Sequence, residues 1–398
     1  MSKENEVPFS SDLDYINVDN PKKSILKKIL VILGFLAIVG YIIDLIFSFR
    51  EDNSYSYITA IYTSTDPLSN SYKFYHIPSE SGKITHLLIS SITVDGVNVK
   101  VAPYHEFNNT GNKTVRIEFK KKIRDMFSFF EGTSLISINF TNFDTSELND
   151  ISFMLAYTKY LRSITWGSSF STSKVTYLDG LFAGCENLTS IDLSIIKAAK
   201  AKSFHMMFSG CESVKNLNLE FFDTSNATSL SRMFEQCYSL TSIDVSNFNT
   251  TNVETMDSMF KECKSLKYLD LSNFKTNALK DASSMFYGCE KLVSIKNNFT
   301  SENLALAYDM FSNCKSLEKV DLSGIVGESL YNLERMFSNC TSLTFINMIN
   351  FECENCNKFN NWIYNLPTSG TFMYNSSKIN SKILEYLPKG WNKVDIKS

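Results

Sequence analysis

Histidine, tryptophan, proline and glycine are all scarce in these 398 residues, at four, three, seven and fifteen copies. Four histidines, none near another histidine or a cysteine pair, leave little material for a zinc enzyme. So few glycines and prolines exclude a collagen-like chain and a proline-rich linker. Nine cysteines are too sparse for a small disulfide scaffold. Charge of one sign is also missing: 39 basic residues face 42 acidic ones, which gives no field for nucleic acid. No G-x-S-x-G, H-E-x-x-H, Walker or G-x-G-x-x-G motif occurs. His76, His86, His105 and His205 stand alone and read as surface or cap residues. The sequence therefore predicts no catalytic residue, no cofactor and no metal.

What the chain does have is one long apolar run, from Ile29 to Phe49, uncharged until Asp44. At 1.5 Å per residue it spans a hydrocarbon core of about 30 Å. Lys22, Lys23, Lys27 and Lys28 precede it. The positive-inside rule then keeps residues 1–28 in the cytosol and places residues 50–398 on the far side of the membrane, lumenal or, as expected here, displayed at the cell surface. The run is too long, and too far from the start, for a typical cleaved signal, so it reads as a transmembrane signal-anchor helix. The first expected partner is thus the lipid bilayer.

Beyond it the chain repeats. Leu135, Leu161, Leu188, Val214, Leu240, Leu266, Leu292, Leu317 and Leu343 follow one another at 26, 27, 26, 26, 26, 26, 25 and 26 residues. Each unit opens on apolar-x-x-apolar-x-apolar, as in Leu240, Ile243 and Val245, whose alternation predicts a short strand. Apolar residues then fall at Val253, Met256, Met259, Phe260 and Cys263, the stripe of a two- to three-turn helix. Thr251-Asn252-Val253-Glu254 has the spacing of a capping box at its start. A unit this short cannot bury both faces alone, so nine units stack, and at about 4.8 Å each they make a sheet of roughly 40 Å.

Stacking turns each position into a column. Leu181-Phe182, Met207-Phe208, Met233-Phe234, Met259-Phe260, Met285-Phe286, Met310-Phe311 and Met336-Phe337 form one, read as core filling. A second runs Phe143, Phe170, Ile196, Phe222, Phe248, Phe274, Phe299, Ile325 and Phe351. Cys185, Cys211, Cys237, Cys263, Cys289, Cys314 and Cys340 form a third, with Gly132 and Thr158 in the same slot earlier. Buried thiols are the favoured reading there, and disulfides between neighbouring rungs the alternative. Cys353 and Cys356 form a C-x-x-C that reads either as a local disulfide or as a reduced pair.

Residues 50–124 lack the repeat, and alternating stretches at 84–89 and 114–119 predict a small antiparallel β cap module. Residues 352–398 are expected to close the other end, with Trp362 and Trp391 over the last rung. The basic run Lys120, Lys121, Lys122 and Arg124 reads as a solvated strand exit. The outward row Asp192, Asn218, Asp244, Asp270, Asp321 and Asn347, interrupted by Lys296, is the candidate binding face. Asp244 and Asp270 are expected to stand about 5 Å apart and to repel. Nine N-x-S/T sequons follow the apolar run, at Asn108, Asn112, Asn139, Asn187, Asn226, Asn249, Asn298, Asn339 and Asn375. They become glycosylation sites only in a eukaryotic host.

The unit L-x-S-I-D-L-S-N-F-x-T-x-N-V-x-x-M-x-x-M-F-x-x-C, matched almost residue for residue by 240–263, resembles the repeat of BspA-like leucine-rich-repeat surface proteins. The likeness covers about 125–351, and Trp362 to Trp391 resembles the segment that ends such arrays. The resemblance implies an α/β solenoid, a right-handed leucine-rich-repeat-like stack of about nine strand–helix units in residues 125–351. It also implies a surface-displayed, non-catalytic recognition or adhesion protein that binds an extracellular protein or glycan through the solenoid face. A structural surface coat without a specific ligand is the alternative.

Overall fold

The computed structural model describes residues 56–63, 71–76, 88–107, 111–326, 329–352, 356 and 358–396, all within the compact unit Tyr55–Ser398. The apolar run Ile29–Phe49 lies outside the described residues, and among those described no helix is long and apolar enough to cross a membrane.

Strands β1 (Ser56–Tyr62), β2 (Ser71–Lys73), β3 (Ile89–Val94), β4 (Val97–Val99), β5 (Tyr104–Glu106) and β6 (Lys113–Phe119) precede the repeats. β1 and β3 flank β6, both antiparallel to it. β3 and β4 form a hairpin through Asp95-Gly96, whose φ values of 50° and 83° suit a two-residue turn that matches strand twist. β1 also pairs antiparallel with β7 (Leu135–Asn139), the strand of the first repeat, which pairs parallel with β8 (Ser163–Thr165). The first module and the coil therefore share one six-stranded sheet.

The repeats form a β-solenoid. On one wall lie short parallel strands: after β8 come β9 (Tyr268–Leu271), β10 (Ser294–Asn297), β11 (Lys319–Asp321) and β12 (Phe345–Met348). β13 (Ser369–Tyr374) and β14 (Gly390–Asp395) extend that wall, with a short 3-10 helix, Ser381–Tyr386, between them. A second wall is a column of isolated parallel bridges at Asp125, Asp150, Tyr177, Ser203, Ser229, Thr255, Asp281, Leu306, Asn332 and Lys358. Those ten positions bound nine turns of the coil.

The expected helix is absent from every described repeat, so the architecture is a β-solenoid rather than an α/β stack. The residues of its stripe, Val253, Met256, Met259, Phe260 and Cys263, are fully buried, yet the backbone is a ribbon of successive tight turns. Met259, Lys261 and Cys263 donate their N–H three residues back, to Met256, Ser258 and Phe260. The alternate residues Ser258, Phe260 and Glu262 donate instead to Ser283, Met285 and Tyr287 of the next rung. Left-handed residues recur twice per rung, Ser258 (φ 55°) and Glu262 (φ 58°) being one pair, and a right-handed α-helix tolerates neither. The Thr251–Glu254 capping box does not form: Glu254 donates its N–H to Thr228 O and pairs its carboxylate with Lys280.

Inside, the columns stack. Ring centroids from Phe182 through Phe208, Phe234, Phe260, Phe286 and Phe311 to Phe337 are 5.3–5.9 Å apart, with planes within 15° of parallel. The second column is looser, 6.2 Å for Phe222–Phe248 and 6.4 Å for Phe248–Phe274. At the corner between them Thr224 and Thr250 each bridge two rungs. Thr250 Oγ1 donates to Lys275 O at 3.0 Å and accepts from Lys275 N at 2.8 Å, so this buried hydroxyl is satisfied.

Candidate functional site

Five members of the predicted polar row, Asp192, Asn218, Asp244, Asp270 and Asp321, stand exposed where the chain enters a turn, and of these only Asp270 (β9) and Asp321 (β11) lie in strands; Asn347, in β12, is buried. Each first serves its own backbone. Asp192, Asp244, Asp270 and Asp321 accept the N–H of Ser194, Ser246, Ser272 and Ser323 at 2.9–3.0 Å. Asn218 and Asn347 do the same for Glu220 and Ile349. These are Asx turns, in which a short polar side chain closes the chain reversal that leaves the strand. The signal was present in the sequence as Asp-x-Ser, repeated at 192, 244, 270 and 321.

The electrostatics of the row are uneven. Ser272 and the Lys296 ammonium, 2.9 Å away on the next rung, hold the Asp270 carboxyl down at about 2. Hydrogen bonds from Ser246 hold Asp244 below the usual carboxylate range, with the neighbouring Asp270 charge opposing them. Lys296 thus relieves one side of the expected repulsion, and Asp244 has no cation within ion-pair distance among the described residues.

On other faces, cations one rung on pair with anions: Lys174 with Glu147 at 3.1 Å, Lys280 with Glu254 at 2.7 Å, and Lys315 with Glu290 at 3.1 Å. Sequence reading missed these, although the partners sit one repeat apart. Arg335 grips Asp309 through Nε and Nη2, a bidentate pair.

The third column consists of free, buried thiols from Cys185 to Cys340, which selects the reduced reading over bridges between rungs. Each of Cys211, Cys237, Cys263, Cys289, Cys314 and Cys340 donates to the carbonyl of the repeat phenylalanine one rung earlier, at 3.0–3.2 Å. Burial pushes the thiols of Cys185, Cys237, Cys289 and Cys340 up to about 12, which suits packing rather than nucleophilic chemistry. Threonine fills the slot in the first two rungs. The first of these is Thr133, one residue after the expected Gly132, and its Oγ1 lies 2.8 Å from Phe130 O. Cys356 is buried with Sγ 3.3 Å from Leu330 O, while Cys353 lies outside the described residues.

The sequons divide by the work their amides do. Asn187 and Asn226 donate Nδ2 to Lys159 O and Ala199 O. Asn339 donates Nδ2 to Asn313 and accepts from Asn365, each at 3.0 Å, as the middle of an amide ladder. Asn375 is buried and accepts from Ser377. Asn249 and Asn139 close turns onto Thr251 and Thr141 through their oxygens. Asn112 and Asn298 are exposed, and Asn108 lies outside the described residues. Among the described residues, no group of three or more His, Cys, Asp or Glu side chains is arranged to hold a metal.

No curated protein matches this chain. A leucine-rich repeat protein from Bacteroides ovatus resembles it at 17% identity over 67% of this chain and 88% of that one, with a TM-score of 0.26. The pneumococcal vaccine antigen PcpA does so at 13% identity over 67% of this chain and 72% of its own, again with a TM-score of 0.26. Residues 121–218, 202–325 and 297–371 match the family described as "Mycoplasma protein of unknown function, DUF285". That match runs through nearly every rung and covers well over half of the sequence, so the chain belongs to the DUF285 family.

Proposed function

We propose that this chain is a surface-displayed, non-catalytic recognition protein, anchored through Ile29–Phe49, whose repeat coil binds an extracellular protein or glycan. The observation that carries the reading is the exposed Asp/Asn row along one wall of the coil. Asp192, Asn218, Asp244 and Asp270 are held at rung spacing by their own Asx turns, so the face is pre-organised before a partner arrives. The apolar run with its preceding lysines supports the anchor, and the BspA-like likeness of 240–263 supports adhesion over other uses of such a face. Asp244 is the residue expected to matter most, because its charge has no cation partner among the described residues.

Two measurements test this. Protease added to intact cells should remove residues 50–398 and spare the N-terminal tail. The double variant D244N/D270N keeps the turn-closing oxygen and removes both charges, so it should fold as the parent does and lose saturable binding to cells or matrix. If the parent protein itself shows no saturable binding to any cell or matrix preparation, the structural-coat alternative replaces this reading.

A further inference from the structure

The backbone hydrogen bonds that join one rung of the turn ribbon to the next, as at Ser258, Phe260 and Glu262, run one way, and this leaves one end of the coil unfinished. In the ninth turn Arg335, Phe337 and Asn339 donate their N–H forward, to the carbonyls of Asn360, Trp362 and Tyr364 at 3.1, 2.6 and 2.7 Å. One rung later the equivalent donors are Asn361, Ile363 and Asn365, and none of these three N–H groups has an acceptor among the described residues. All three residues line a cavity of about 290 Å³, walled by Tyr364, Tyr386 and Pro388. Tyr364 and Tyr386 are at least half exposed.

The other end differs. The carbonyls of Phe129 and Glu131 in the first rung are taken by His76 N–H and by Lys73 Nζ, each at 2.7 Å. On the strand wall β14 continues past β13, with Trp391 donating to Pro367 O at 2.9 Å. The ribbon at the last rung is thus the place where the repeat pattern calls for a partner and the described residues supply none.

We propose that this end of the ribbon docks the main chain of another polypeptide, which adds itself as a further rung. The chemistry narrows the occupant. Three donors at alternate residues, with no acceptor between them, need three carbonyls at the same two-residue period, which polypeptide backbone supplies. A second copy is a poor fit. Its own last rung offers donors against donors, and its first-rung carbonyls at Phe129 and Glu131 are already occupied. Tyr364, Tyr386 and Pro388 supply an apolar wall for the side chains of the incoming segment. This surface is separate from the Asp row, so either can fail without the other.

The test is amide hydrogen exchange on the full chain, with a synthetic peptide of residues 255–281 as probe. That segment carries the carbonyls of Asp257, Met259 and Lys261, which serve the equivalent donors Arg232, Phe234 and Gln236 within the coil. Without peptide, the amides of Asn361, Ile363 and Asn365 should exchange much faster than those of Arg335, Phe337 and Asn339. Excess peptide should slow the first three by about tenfold or more, and a scrambled peptide should not. Protection already complete in the free chain, or unchanged by excess peptide, overturns the proposal. Protection that grows with chain concentration alone assigns the edge to self-association and also overturns it.

Discussion

The Cys263 thiol donates to the Phe234 carbonyl one rung earlier, 3.1 Å away, and that carbonyl also accepts the N–H of Cys237. A small side chain with one donor fills the slot, and Thr158 there donates instead within its own rung, to Leu155 O at 2.6 Å.

Replacing Cys263 by alanine should therefore cost about 1–2 kcal/mol, for one lost hydrogen bond and a small void. Cys263→Ser restores a donor and should cost less. Urea denaturation of both variants measures the difference; equal losses would show that the hydrogen bond contributes nothing.

The same column makes stability fall in alkali. Buried thiols at about 12, as at Cys185, Cys237, Cys289 and Cys340, stay neutral where unfolded thiols near 8.5 ionise. The unfolded state then binds fewer protons, so the contribution is whole below about 8.5 and is lost progressively between there and 12. Substituting serine at all four positions should flatten that part of the pH–stability curve. Thiol reagents should label none of these cysteines in the folded chain at neutral pH.

Phe234 lies inside a stack with Phe208 and Phe260 at 5.7 and 5.5 Å. Phe234→Ala should cost about 3–5 kcal/mol, and Phe234→Leu clearly less, since Leu155 holds this slot in the second rung. Thermal unfolding read by circular dichroism orders the two.

Glu262 adopts φ 58° in the slot that Gly184, Gly210 and Gly288 fill elsewhere. Glu262→Gly should be neutral or stabilising, whereas Glu262→Val should destabilise by about 1–2 kcal/mol, because a β-branched residue resists that conformation. At 184 a Cβ would also lie 2.6 Å from the Tyr157 ring, so a larger residue there must displace that exposed side chain as well as accept positive φ.

The Asp270 carboxyl should titrate near 2 by carbon-13 NMR. Ser272→Ala removes the hydroxyl hydrogen bond while keeping the backbone one, and Lys296→Met removes the ammonium, so each should raise that midpoint. The contribution to stability is present above the unfolded value near 3.9 and is lost as pH falls toward 2.

The period, the columns and the burial of Met259, Phe260 and Cys263 were legible because equal spacing forces equal residues into contact. The turn ribbon was not, since apolar residues three and four apart fit a helix and a run of tight turns alike. The discriminating signal was Gly184, Gly210, Gly288, Asn313 and Asn339 directly before a cysteine, the residue types that accept positive φ. In the candidate site, period alone picked out Asp192, Asp244 and Asp270. Their turn-closing role depended on the serine two residues on, which period does not weigh. The open donors at Asn361, Ile363 and Asn365 follow from bond direction, which no side chain encodes.

Turns of 25 and of 27 residues both keep the bridge column aligned, as Asp281–Leu306 and Asp150–Tyr177 show. A slip of one residue is thus absorbed within its own layer, and layers above and below keep their partners. Removing or duplicating one complete turn would leave every interior neighbour facing a side chain of the same kind. The reach of such a coil can accordingly be lengthened or shortened in quanta of a single layer without redesigning its interior.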